Sequence, residues 1–206
     1  MTPETFPKVA IVLLAAGQSS RMGGKHHKLL AEFDGVPLIR RMARIAGAAD
    51  PAAVIVITGH RHQEVAACLV GLPVDIVYNP AYAEGMASSI ISGFGVSSAT
   101  AADGVMIMLA DMPEVTDRDL RALIAAFRDT KGGAIVRAVS DGKRGNPVIL
   151  PQSLRDAILA LQGDVGARNV IETCGLPILD VEVGTAAHID VDTPEAVLAA
   201  GGILKG

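Results

Sequence analysis

The feature that most constrains this chain is the alternation of short apolar runs with amphipathic segments along nearly its whole length. Lys8–Leu14 (KVAIVLL), Ala53–Thr58 (AVIVIT), Val74–Tyr78 (VDIVY), Gly104–Ala110 (GVMIMLA) and Gly133–Val139 (GAIVRAV) are too short for core helices. They are rich in β-branched residues, which is how strands buried on both faces read. Helical periodicities lie between them. Pro37 opens one, with Leu38, Met42, Ile45 and Ala46 on a single face. A second follows Gly59 with Val65, Ala66 and Leu69, and a third places Met86, Ile90, Ile91 and Phe94 at helical spacing. Thr116 is expected to cap a fourth, with Asp119 three residues on and an apolar stripe of Leu120, Leu123, Ile124 and Phe127. The alternation predicts an α/β chain built on a mostly parallel sheet with helices on both faces. Only 3% of the residues are aromatic although 50% are hydrophobic, so the core is to be built from Val, Ile, Leu and Ala. On such sheets ligands bind beyond the carboxyl ends of the strands, so a functional motif should fall just after a strand. From about Lys143 onward the pattern is less regular, as a substrate-facing part would be.

Charge narrows the function. The 18 Lys and Arg against 22 Asp and Glu give a net charge of −4, which argues against a nucleic-acid partner. The aromatic platforms of single-strand binders are also missing. A small anionic ligand in a locally basic pocket stays open. Cys68 and Cys174 show no C-x-x-C spacing and read as reduced thiols. The N-terminus (MTPETFPK) lacks the pattern of a signal peptide, and no apolar run nears the ~20 residues that span a bilayer, so the expectation is a cytoplasmic chain without a membrane partner. No pair of histidines shows metal-ligand spacing with a carboxylate, so zinc is not expected.

Leu13–Gly24 (LLAAGQSSRMGG) directly follows the first strand. Gly17 ends the strand where the backbone must turn or approach a ligand, and exposed N–H groups beside it suit phosphate. Arg21 adds a fork that matches phosphate oxygens and Lys28 a point charge. The dinucleotide pattern G-x-G-x-x-G is absent, and Gly24-Lys25 is followed by His26 rather than Ser or Thr, which removes the Walker loop. On local grounds the segment is either a phosphate cradle or a Gly-rich surface turn.

Other motifs follow strands in the same way. Asn79-Pro80 leads into Glu84-Gly-Met-Ala-Ser-Ser89, where Gly85 admits close approach and Ser88 and Ser89 sit at a helix start; a plain cap is the alternative. Asp111-Met112-Pro113 ends the GVMIMLA strand, and a carboxylate there has no apolar packing role. In Asp190-Val-Asp192-Thr-Pro-Glu195, Pro194 fits the first helical position and Thr193 or Asp192 the cap, which leaves one aspartate for another task. Asp141–Pro147 and Gly163–Arg168 carry polar groups in glycine-flanked turns. His60 follows a strand end and is a further candidate for nucleotide contact, whereas His62 and His188 read as surface or satisfied core residues.

L-A-A-G-x-S-x-R-M-G followed by Lys28-Leu-Leu resembles the signature of the MobA-like nucleotidyltransferases, and within them most closely that of the molybdenum cofactor cytidylyltransferases. The resemblance runs over about residues 9–200 with no separate C-terminal domain. It implies a Rossmann-like, glycosyltransferase-A-like sheet in one domain, residues 1–206, with 143–190 facing the acceptor. It also implies Leu14, Ala15, Ala16, Gly17, Arg21, Lys28, Asn79, Gly85, Ser88 and Asp111 as nucleotide-binding positions. Arg21, Lys28 and Asp111 are the implied catalytic residues. Asp111 and Asp190 are the implied Mg²⁺ ligands, with Asp192 left mainly to capping. Arg144, Gly145, Asn146, Asp164 and Arg168 are implied at the acceptor. The His26-His27 pair before Lys28 departs from many members.

The reaction expected on this basis is transfer of CMP from CTP to the phosphate of a molybdopterin-type cofactor, with pyrophosphate leaving and molybdoenzyme maturation factors as further partners. A phosphomonoester with a second pKa of about 6 is already ionised near neutrality, so no strong general base is required. Rivals are the same chemistry with GTP, a sugar or alditol phosphate acceptor, a nicotinamide-dependent oxidoreductase on a similar sheet, and a non-catalytic nucleotide sensor. Ala16 favours CTP by resemblance, since guanylyl members usually read L-A-G-G there.

Overall fold

The computed structural model describes residues 6–23, 26–162 and 166–204. Strand β1 (Val9–Ala15) leads into two short 3-10 turns, Ser20–Met22 and Lys28–Leu30, and a small hairpin of β2 (Glu32–Phe33) and β3 (Val36–Pro37). Then come α1 (Leu38–Ala48), β4 (Ala53–Thr58), α2 (His62–Ala67), β5 (Asp75–Tyr78), α3 (Met86–Phe94), α4 (Ser97–Thr100), β6 (Gly104–Leu109) and α5 (Asp117–Asp129). The chain finishes with β7 (Ile135–Ser140), β8 (Lys143–Pro151), α6 (Arg155–Leu159), α7 (Arg168–Thr173), β9 (Ile178–Glu182) and α8 (Pro194–Ala199).

The main sheet has the order β5-β4-β1-β6-β8-β7-β9. β8 runs antiparallel to both its neighbours, and the other pairings are parallel. The expected mostly parallel sheet is therefore present. Side chains alternate across it with the period of two that a pleated strand imposes. Val9, Ile11 and Leu13 enter one core with Leu38, Met42, Val65, Leu120 and Val197, so α1, α2, α5 and α8 cover that face. Ala10 and Val12 enter the other with Ile90, Phe94, Ala99, Ile158 and Ile171, so α3, α4, α6 and α7 cover the opposite face. No helix among the described residues is long and apolar enough to cross a membrane.

Residues from Lys143 onward depart from the reading given above. Lys143–Pro151 is a nine-residue strand inserted into the sheet between β6 and β7. Its first half, KRGN, is partly exposed and its second half, PVILP, is buried. Mixed composition hides it: one strand serves a polar rim and then an apolar core, so neither periodicity dominates.

Candidate active site

β1, β4 and β6 are parallel neighbours, so their carboxyl ends open onto one edge of the sheet. The backbone is laced there: Ala110 N–H donates to Leu14 O at 3.1 Å and His60 N–H to Ala16 O at 3.3 Å. Beyond β1 the chain turns sharply through Ser19, which is left-handed at φ 52°, and Met22 drops into the core as an anchor. The R-M-G part of the loop is therefore one exposed cation, one buried pin and one left-handed glycine, Gly23 at φ 72°. Gly17 has no positive φ, and a Cβ there would meet nothing within 4 Å. Its missing side chain leaves open space beside the loop rather than relieving strain.

Lys28 is held between two buried residues. Leu29 enters the core, and His27 accepts a hydrogen bond at Nδ1 from Leu29 N–H at 3.3 Å. The Lys28 ammonium donates to Asp111 Oδ2, and to Asp192 Oδ1 at 2.5 Å. Arg21 Nη1 donates to Asp192 Oδ2 at 2.5 Å. Burial alone would lower the Lys28 pKa, but Asp111 and Asp192 outweigh it and hold the pKa above the ordinary value. The hydrogen bond from Lys28 pulls Asp192 down despite its burial. Asp190 is pushed up, first by burial and then by the charges of Asp192 and Asp111.

The two carboxylate segments are tied together, because Val191 N–H donates to Asp111 O at 2.9 Å. Val191 is buried, and Asp190 and Asp192 on either side of it both line the same cavity. Capping of α8 falls to Thr193, whose Oγ1 accepts from Ala196 N–H at 3.2 Å, with Pro194 at the first position. The capping role expected of Asp192 is thus corrected. A hydroxyl one residue closer to the helix takes the bond and leaves Asp192 to hold Lys28 and Arg21.

The cavity measures about 450 Å³ and is lined by Leu14–Gln18, Lys28, Tyr82, Gly85, Asp111, Asp190 and Asp192, among others. Asn79 and Ser88 are absent from its lining. Asn79 is 2% exposed and spends its amide inside the protein: Nδ2 donates to Ser88 Oγ at 2.9 Å and Ser89 Oγ at 3.1 Å, and Oδ1 accepts from Ala81 N–H at 3.0 Å. Ser88 Oγ in turn donates to Ala81 O and Gly85 O. These bonds make a scaffold that holds the 79–88 loop. Ser89 and Gly85 reach the cavity instead, and Gly85 adopts φ 110°, which only glycine tolerates easily.

A second cavity of about 290 Å³ shares Met86 and Leu109 with the first. Ile90, Ile107, Val148 and Ile171 give it apolar walls, and Arg137, Arg144 and Arg168 surround them. Gly145 and Asn146 line it as well. A Cβ on Gly145 would lie 2.7 Å from Ala187 Cβ, so β8 passes the 184–187 turn too closely for any side chain. Glu172 gathers two of the arginines, with Arg144 Nη1 at 2.7 Å and Arg168 Nε at 3.0 Å. Arg137 is braced by Asp180 on the neighbouring strand at 2.9 Å. Asp164, expected at the acceptor, lies outside the described residues. Sequence reasoning missed Arg137, Glu172 and Tyr82. Arg137 was findable as the lone charge in an apolar strand, and Tyr82 as one of only 2 tyrosines.

Oxygen-rich carboxylates suit a hard divalent cation. Asp111 Oδ1 is buried without a hydrogen-bond partner among the described residues, which fits an oxygen that could ligate a cation. No group of three or more His, Cys, Asp and Glu forms a protein-built cage among those residues, so other ligands would come from substrate oxygens.

A family model described as the MobA-like NTP transferase domain matches residues 11–178. Bifunctional protein GlmU of Dinoroseobacter shibae is 28% identical over 65% of this chain and 32% of its own length, so the chain spans about a third of that curated relative. Among solved structures, Rv0371c of Mycobacterium tuberculosis H37Rv superposes with TM-score 0.79 at 23% identity, covering 95% of this chain and 98% of that one. Rv0371c is also known as a manganese complex. A nucleotidyl transferase of Methanothermobacter thermautotroptrophicus, Mth528, gives TM-score 0.78 at 23% identity over 94% and 95% of the two chains. At these identities the two structures establish a shared fold.

Proposed function

The chain belongs to the family of MobA-like NTP transferase domains and is a nucleotidyltransferase, and from that premise we propose that it transfers CMP from CTP to the phosphate of a molybdopterin-type acceptor. The observation that carries this reading is the pair of adjoining cavities. One has a cation and carboxylate cluster beside a glycine loop, the other has apolar walls ringed by arginines, and Met86 and Leu109 are common to both. A nucleoside triphosphate suits the first. A flat ring that lays its face on Ile90, Ile107, Val148 and Ile171 and turns its polar edge and anionic group to the arginines suits the second better than a sugar phosphate does, since a sugar carries hydroxyls all round and would bury some against those side chains. Residues 143–190 supply most of the arginine side of that acceptor cavity.

Asp111 and Asp190 would hold a divalent cation, Mg²⁺ in our reading, which screens phosphate charge when bound. The manganese complex of Rv0371c supports a divalent ion for this fold. Catalysis by the chain itself rests on charge and position. An acceptor phosphate oxygen bonds to the α-phosphorus as the bond to the β-phosphate oxygen breaks, and pyrophosphate departs. Lys28 and Arg21, now held by Asp111 and Asp192, turn to the phosphates and stabilise the charge that develops on them. Arg144 and Arg168 orient the acceptor.

Pyrophosphate release from each nucleoside triphosphate, with Mg²⁺ and either molybdopterin or a panel of sugar and alditol phosphates, tests the reading. Release with CTP and molybdopterin is expected. Release only with a sugar phosphate would replace the acceptor, and release only with GTP would replace the base.

A further inference from the structure

We propose that Tyr82 is the base-selecting wall of the nucleotide cavity, and that its ring excludes the second ring of a purine. The inference rests on the reading of that cavity as a nucleoside triphosphate site. The triphosphate must lie toward Lys28, Arg21 and Asp111, which gather the charge. The rest of the lining includes Tyr82, Ala83, Gly85, Met86 and Ser89 as well as Ala16, and the base is assigned to that part.

Tyr82 stands between two spaces. It lines the 450 Å³ cavity on one side and, on the other, a hollow of about 460 Å³ lined by Gly59, Arg61, His62, Gln63, Glu64 and Tyr78. The side chain is bounded on two sides, and its loop is tied down by backbone and side-chain hydrogen bonds. Gly59 has no side chain because none fits: a Cβ there would lie 2.6 Å from Tyr82 Cβ and 2.8 Å from Ala16 Cβ. Gly59 has no positive φ, so close approach rather than backbone conformation requires the glycine. His60 neighbours the ring, the two centroids 6.3 Å apart and the planes tilted by 54°. The Asn79–Ser88 hydrogen bonds fix the loop, and Tyr82 N–H itself reaches Asn79 O at 3.4 Å.

Ala16 lines the cavity as well, and its methyl stands beside Gly59 together with Tyr82, so in this proposal its size acts by setting where the ring stands. A single methyl directly against a base edge could at most bias the choice. A displaced aromatic wall changes the space by much more.

Calorimetric binding of CTP and of GTP, each with Mg²⁺ and without acceptor, tests this in the wild type, Tyr82→Ala, Ala16→Gly and the double variant. The wild type is expected to favour CTP. Tyr82→Ala should narrow the preference by about tenfold or more, through tighter GTP binding. Ala16→Gly should narrow it less, and should add nothing once Tyr82 is gone, because the two residues act as one unit. Tyr82→Leu provides a second truncation should the alanine variant fail to fold. Additive effects would mean that the methyl reads the base itself and would overturn the proposal. Equal weakening of both nucleotides would also overturn it, as Tyr82 would then be packing only. A wild type that prefers GTP overturns the wall but leaves a nucleotide site, provided that binding still depends on Lys28. Binding of neither nucleotide would instead sink the reading of the cavity, and the wall with it.

Discussion

Lys28 is an ammonium 13% exposed that two carboxylates share, and this sets its place in the chemistry. Held there, it has a third N–H left for a phosphate oxygen beyond the two that Asp111 and Asp192 accept. Lys28→Ala should lower nucleotidyl transfer by roughly 10²–10³-fold, the scale of losing one preorganised charge at a reacting centre. Asp111→Asn should do the same while the fold survives, and near-normal turnover of a folded Asp111→Asn protein, assayed by pyrophosphate release, would remove Asp111 from the site. The neighbouring His27 is a different kind of residue. Burial, then the charges of His60 and Arg61, lower its pKa from 6.5 to about 4. The native ring stays neutral, and its Nδ1 stays free to accept from Leu29 N–H. The unfolded chain takes a proton near pH 6.5 and the folded chain only near pH 4, so stability falls as pH drops through that window. The loss attached to this ring is on the order of 3 kcal/mol. Urea unfolding at steps between pH 4 and 7 should show that slope, and His27→Asn, which keeps a cap acceptor, should flatten it.

At the scale of elements, what was legible follows from what each element needs. α5 was readable to its cap because a capping box is local chemistry. Thr116 Oγ1 accepts from Asp119 N–H at 3.3 Å and Asp119 returns a bond to Thr116 N–H at 2.9 Å. Thr116→Ala should cost about 1 kcal/mol, seen as a lower urea midpoint with an unchanged slope. The strands β1, β4 and β6 were readable because both faces are buried and the runs are continuously apolar. β8 was not, since its polar half serves the second cavity and only its apolar half reads as strand. The site divides in the same way. The loop after β1 and Asp111 stand out because charge at a strand end has no packing excuse. The internal bonds of Asn79 and Ser88 and the ion pairs of Asp192 were not legible, because a hydrogen bond to a ligand and one to the protein's own loop look identical in sequence. Only the buried position of Asn79 and the cap already filled by Thr193 tell them apart.

The whole molecule carries a net charge of −4, yet both substrates of the proposed reaction are anions. The resolution is spatial. In the proposed acceptor cavity Arg137, Arg144 and Arg168 converge on apolar walls, and Glu172 tethers two of them. These pairs are exposed: side chains of Arg144, Arg168 and Glu172 retain 47%, 60% and 47% of their accessible surface. Exposed pairs of this kind add about 0–1 kcal/mol to stability and are screened by salt, so holding the fold together is not a sufficient reason for them. In the proposed reaction they meet the anionic acceptor. Arg144→Ala and Arg168→Ala should leave the unfolding midpoint within about 0.5 kcal/mol of wild type. Each should raise the acceptor KM by about tenfold, the cost of one charge-assisted bond of roughly 1.5 kcal/mol or more, and leave the Kd for CTP as it was. The wild-type acceptor KM should itself climb with ionic strength over a Debye length of about 8 Å at 0.15 M. Steady-state kinetics with acceptor varied at saturating CTP separate the two sites. Were either substitution to weaken CTP instead, the arginine cavity would belong to the triphosphate, and the division of labour between the two cavities would have to be reversed.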